Sequence, residues 1–74
     1  RLNDYLKAMN AFLKAVELNP ASAIDYANIG YCLKAINYLP AAQIYFKKAL
    51  ELDPELTVAK RGLEYCETIL SSQN

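Results

Sequence analysis

The most reactive side chains in this chain are two cysteines, Cys32 and Cys66, standing 34 residues apart. A thiol becomes a nucleophile when a base activates it, and a zinc ligand when further donors converge on one ion. Neither condition is met. The sequence has no histidine, the commonest general base and metal ligand, and no second pair of ligands accompanies the cysteines. No glycine-rich phosphate loop is present. Glu17, Glu51, Asp53 and Glu55 lie near lysines and helix stops and read as solvated surface, with pairings such as Lys47 to Glu51. No enzyme activity, metal or cofactor is expected, and noncovalent recognition is the chemistry left.

Charge narrows what is recognised. Eight basic and eight acidic residues cancel over 74 positions. Without a basic surplus or run, the electrostatic footprint of nucleic-acid binding is missing. Apolar stretches are interrupted by Lys, Asn or Glu every few residues, so no segment is expected to span a bilayer. There is no signal-peptide pattern and the chain opens on Arg1, which suggests a piece of a longer protein. Cysteine as a small buried hydrophobe, reduced in a cytoplasmic setting, is the expected state of both thiols. A disulfide between equivalent places of successive repeats fits poorly with the geometry such a bond requires.

The elements that must position any site announce themselves by repetition. Asn3, Ala8, Phe12, Lys14, Ala15, Glu17, Leu18 and Pro20 recur as Asn37, Ala42, Phe46, Lys48, Ala49, Glu51, Leu52 and Pro54. The cysteines share that period, as do Tyr31 and Tyr65. A fixed period of this length marks an array of helical units. Asn19-Pro20 and Asp53-Pro54 each follow a helical pattern and should stop it, because the residue before proline is pushed out of the helical region. Pro40 instead suits a helix's first turn. Four helices are predicted, over about 4–18, 22–36, 39–52 and 56–71. Tyr26, Ile29, Gly30 and Leu33 form one stripe, and Ala42, Phe46, Ala49 and Leu50 another. Facing small residues, Gly30 and Ala42, are expected to let two helices nest, since an interior glycine costs about 1 kcal/mol of helix propensity and needs a packing reason.

Those residues resemble the tetratricopeptide repeat pattern: Tyr26-x-x-Ile29-Gly30-x-x-Leu33, then Ala42-x-x-x-Phe46-x-x-Ala49, then Pro54. Tyr26 stands where the family often has Trp, and Leu33 where it often has Tyr. Tyr5, Ala8, Phe12, Ala15 and Pro20 form a second copy of the back half. The resemblance covers essentially the whole chain and implies an all-α fold, antiparallel helix pairs stacked as an α-solenoid with a right-handed superhelix. It divides the chain into the second helix of one repeat (1–21), a complete repeat (22–56) and a C-terminal capping helix (57–74). The capping role rests on Lys60, Leu63, Glu64 and Glu67, mostly charged where the second helix carries its packing stripe. At the other end Ala8, Phe12, Ala15 and Val16 form an uncovered apolar stripe. More repeats are therefore expected before Arg1, with self-association through the helix carrying Phe12 as a further possibility for the fragment alone.

By that resemblance, the first helices of the pairs line a concave groove for a protein or peptide partner. Ile24, Ala27, Asn28, Tyr31, Lys34 and Ala35 would line it from the second helix, continued by Val58, Arg61, Gly62 and Tyr65. Tyr31 and Tyr65 would make a short aromatic ladder, rigid and apolar with a polar tip, or else be ordinary amphipathic surface. Asn28 would bond a ligand's backbone, and Lys34 or Arg61 a ligand carboxylate, set against the commoner case of a surface charge that is simply solvated. The subtype that grips a C-terminal carboxylate has basic residues at the places of Val58 and Gly62, and this chain departs from it there. An interaction scaffold is the leading expectation. A structural or oligomerisation module, and the accessory region of a larger enzyme such as a peptidyl-prolyl isomerase or glycosyltransferase, are the alternatives.

Overall fold

A computed structural model describes residues 1–73 as four helices: α1 (Leu2–Leu18), α2 (Ala23–Ala35), α3 (Leu39–Leu52) and α4 (Thr57–Ser72). Each helix packs on its successor, and α2 also reaches α4, the helix one period on. α1 touches α2 alone.

The stops follow from proline and from the residue before it. Asn19 and Asp53 leave the helix with nearly the same backbone angles, φ −139°, ψ 83° and φ −142°, ψ 91°. Their N–H groups still bond back to Ala15 and Ala49. Each then turns the chain with its own side chain: Asn19 Oδ1 accepts the N–H of Ala21 at 3.3 Å, and Asp53 Oδ1 that of Glu55 at 3.1 Å. Short side chains with an acceptor oxygen make such turns, and the intervening proline pre-sets φ. The repeat is thus exact down to single hydrogen bonds.

The α2–α3 connection is a different device. Asn37 has φ 69°, a left-handed conformation that asparagine tolerates better than most residues. Its N–H bonds Lys34 O at 3.0 Å, and Tyr38 N–H bonds Leu33 O at 2.8 Å. These are the two bonds of a Schellman ending, which satisfies carbonyls the helix would otherwise orphan. Leu39 and Pro40 then open α3, with the proline where its missing donor costs little. α1 starts earlier than predicted, because nothing from Leu2 onward breaks it and Asp4 in the first turn complements the helix dipole.

Phe46 is the centre of the core. Ile29, Ala42, Ala49, Ala59 and Cys66 are fully buried around it. Gly30 and Ala42 are both buried in this core. A Cβ on Gly30 would lie 2.9 Å from Phe46 Cδ1 and Cε1, so the aromatic ring is the group packed most closely on the glycine. A Cβ on Gly62 would lie 2.3 Å from Phe46 Cζ. One ring from α3 therefore wedges between α2 and α4, seated against a glycine of each. Burying a phenylalanine contributes on the order of 1.5–3 kcal/mol, and this seat makes that burial complete.

The surface carries small corrections. Lys48, not Lys47, pairs with Glu51, at 3.7 Å, because i,i+3 neighbours meet on this helix face. Lys60, Glu64 and Glu67 on α4 are exposed and Leu63 is half-buried.

Alanine at the two glycines separates their roles. Each substitution gains about 1 kcal/mol of helix propensity, set against an overpacking cost of about 1–3 kcal/mol. Gly62→Ala is expected to destabilise by about 1–2 kcal/mol net and Gly30→Ala to be near neutral, read from urea denaturation midpoints. Equal effects would mean that the ring is not wedged as described.

Candidate functional site

Helices α2 and α4 share a repeat phase and present matching stripes. On α2 Ile24, Ala27, Asn28, Tyr31 and Lys34 follow helical spacing, and on α4 Val58, Arg61, Gly62 and Tyr65 do so. Between them lies a concave hollow of about 400 Å³, lined by these residues except Tyr65, and by Phe46. Ala35, expected on this surface, is exposed and does not line the hollow. Ala27 and Gly62 are buried at its base. Ile24, Tyr31, Val58 and Tyr65 remain 48%, 54%, 54% and 46% exposed, a concentration of large apolar groups facing water on one side of the molecule.

The two tyrosines are linked through a lysine rather than stacked on one another. Lys34 Nζ lies 4.5 Å from the Tyr65 ring centroid and 5.6 Å from that of Tyr31. A cation is drawn to the negative face of an aromatic ring, so Lys34 is held across the gap between α2 and α4. Tyr5 extends the row: its ring meets Tyr31 edge-on, centroids 6.4 Å apart and planes at 61°. Tyr5, which the resemblance places in the second copy of the back half, is half-buried. Phe46, read as core, also contributes to the hollow's lining.

Charge here departs from the chain's neutrality. Among the described residues the lining holds two cations, Lys34 and Arg61, the amide of Asn28, and no carboxylate. Among the described residues neither Lys34 nor Arg61 forms an ion pair. The surface is therefore apolar with a positive bias. Both cysteines are free and buried, and no metal-binding cluster exists among the described residues. Burial pushes the Cys32 thiol up. Burial does the same to Cys66, where nearby Lys34 opposes the rise and Glu67 adds to it. No described helix is long and apolar enough to cross a membrane.

The family model for the tetratricopeptide repeat matches residues 1–22 and 26–56. The chain belongs to the tetratricopeptide repeat family. Its first match covers α1 with the Asn19-Pro20 turn, and its second runs from Tyr26 through α3 into the Asp53-Pro54 turn. Tetratricopeptide repeats generally mediate protein–protein interaction and are typically non-catalytic, which agrees with a surface rich in exposed apolar groups and poor in reactive ones. No curated protein sequence matches the chain.

The buried thiols give a titration test. Their folded pKa lies above the unfolded value, so the stability carried by the protonated thiols is complete below about pH 8.5 and is lost as pH rises through the folded pKa. The urea midpoint should fall across that window, and Cys66→Ala should flatten part of the slope. An unchanged slope would show that Cys66 does not contribute.

Proposed function

We propose that the concave surface between α2 and α4 captures an extended segment of a protein partner. Supporting this is the gathering of exposed Ile24, Tyr31 and Val58 around one hollow, with exposed Tyr65 joined to it through Lys34. Aromatic side chains with few rotatable bonds bury large contact area at low entropic cost. Asn28 stands within the lining, where its amide can both donate to and accept from the unpaired backbone of an extended segment. A helical ligand has no such backbone to offer, since its own bonds use those groups. Lys34 and Arg61 supply the positive bias, and Ala27 and Gly62, backed by the Phe46 ring, form an apolar base.

Peptides selected from a random displayed library on the wild-type chain provide the test. Tyr31→Ala combined with Tyr65→Ala is expected to weaken them about tenfold or more, with helicity by circular dichroism unchanged. Peptides that hold the double variant equally well would place the working surface elsewhere.

A second role attaches to α1. None of its residues is buried, whereas Ala42, Phe46 and Ala49, the period mates of Ala8, Phe12 and Ala15, are almost completely covered. Phe12 and Val16 are half-buried against the core, and Leu2 and Leu6 are exposed. Covering this stripe with a second copy would complete the burial that Phe46 has in full and Phe12 only in part. Sedimentation should then show concentration-dependent association of the wild-type chain that Phe12→Ser abolishes. A wild-type chain that stays monomeric at high concentration would rule this out.

A further inference from the structure

We infer that the groove selects an extended peptide carrying one bulky aliphatic side chain and, about three residues away, an internal aspartate or glutamate. This rests on the groove assignment above and adds the chemistry of the ligand.

The aliphatic anchor follows from the apolar make-up of the base of the hollow. Ala27 and Gly62 are buried in its lining. The Phe46 ring, which also contributes to the lining, fills the space directly against Gly62, so the base is a closed apolar floor. Ile24 and Val58, half exposed and one period apart, stand on the two walls. Floor and walls offer a side chain no hydrogen bond. Burial is the only attraction they supply, and it favours a branched aliphatic group over a polar one.

Charge complementarity supplies the second feature. Lys34 is positioned by the Tyr31 and Tyr65 rings before any ligand arrives, and among the described residues no carboxylate lines the hollow. A cation fixed in advance pays little ordering cost on binding. Ala27 and Lys34 are seven residues apart on α2, a rise of about 10 Å, and an extended chain covers about 3.3 Å per residue. The anchor and the carboxylate should therefore be separated by about three residues. One ammonium acts as a point charge and suits a side-chain carboxylate. Arg61 and the amide of Asn28 share the lining, but among the described residues only Lys34 of these is fixed in advance on aromatic rings.

The test uses capped, serine-rich peptides bearing one leucine and one aspartate, with the interval between them varied. Titration into the isotopically labelled chain, followed by amide chemical shifts, reports both affinity and location. Expected is strongest binding near the stated interval, with shifts at Asn28, Tyr31 and Tyr65. Leucine-to-alanine or aspartate-to-asparagine changes in the peptide should each weaken binding about tenfold. Lys34→Gln in the chain should remove the preference for aspartate while leaving that for leucine, and Val58→Ser should do the reverse. Both substituted residues are at least partly exposed, so the fold should tolerate them. Groove shifts without dependence on leucine or aspartate would overturn this ligand assignment and leave the groove intact. Binding that requires an uncapped C-terminus would also overturn it. Shifts confined to α1 or to the outer face would overturn both proposals, and no binding by any member would overturn the ligand assignment.

Discussion

Three helices are held together by one aromatic ring. Phe46 projects from α3 into a space left open because α2 and α4 each put a glycine there, and Gly62 leaves less room than a single methyl would need. Glycine inside a helix is unfavourable by about 1 kcal/mol, and the two positions together cost about twice that. Completely burying the ring offsets much of this, and only complete burial lets α2 contact α4 across the pair boundary. Successive units are then coupled through a shared side chain rather than merely laid side by side. Nearest-neighbour coupling of this kind is what makes a chain of small helical units cooperative. It matters more in a short chain, which buries a smaller share of its surface.

The connections make the same economy by other means. None of the four helices has a side-chain cap at its N-terminus. Turn chemistry sits at the other ends instead. Asn19 and Asp53 bend the chain between pairs with an oxygen and a following proline, and Asn37 bends it within a pair by accepting a left-handed backbone. Asparagine recurs at 3 and 37, but only Asn37 follows a helix, so only there does the residue's tolerance of positive φ act. At Asn3 the same residue type lies inside α1.

Helix number, order and stops were legible in the sequence because they depend on local rules: apolar spacing, proline, and the period itself. The residue on which the glycines close was not. Gly30 and Ala42 are both small and share facing stripes, and a stripe names the face of a helix without saying which side chain crosses it. Phe46 reaches Gly62 from a different unit, and no periodic pattern within one unit predicts that contact. The same limit applied to the candidate surface. The resemblance placed Ile24, Asn28, Tyr31, Val58 and Arg61 on two helices, and they line one hollow. It gave no hint that Lys34 joins Tyr31 to Tyr65, or that Tyr5 abuts Tyr31. Long flexible side chains choose among several neighbours, and that choice is made in three dimensions.

Stability and recognition meet at position 62. With the ring seated as it is, any side chain there would collide with Phe46 before reaching the hollow. A basic residue at 62 would have to displace the ring and with it the contact between α2 and α4. The packing that couples successive units therefore keeps this part of the surface apolar, and pushes positive charge outward to Lys34 and Arg61. Lys34 in turn gains its fixed position from two tyrosines that the 34-residue period places on neighbouring helices. The hollow therefore offers its apolar contact at the base and its charge at the rim, an order set by the core itself.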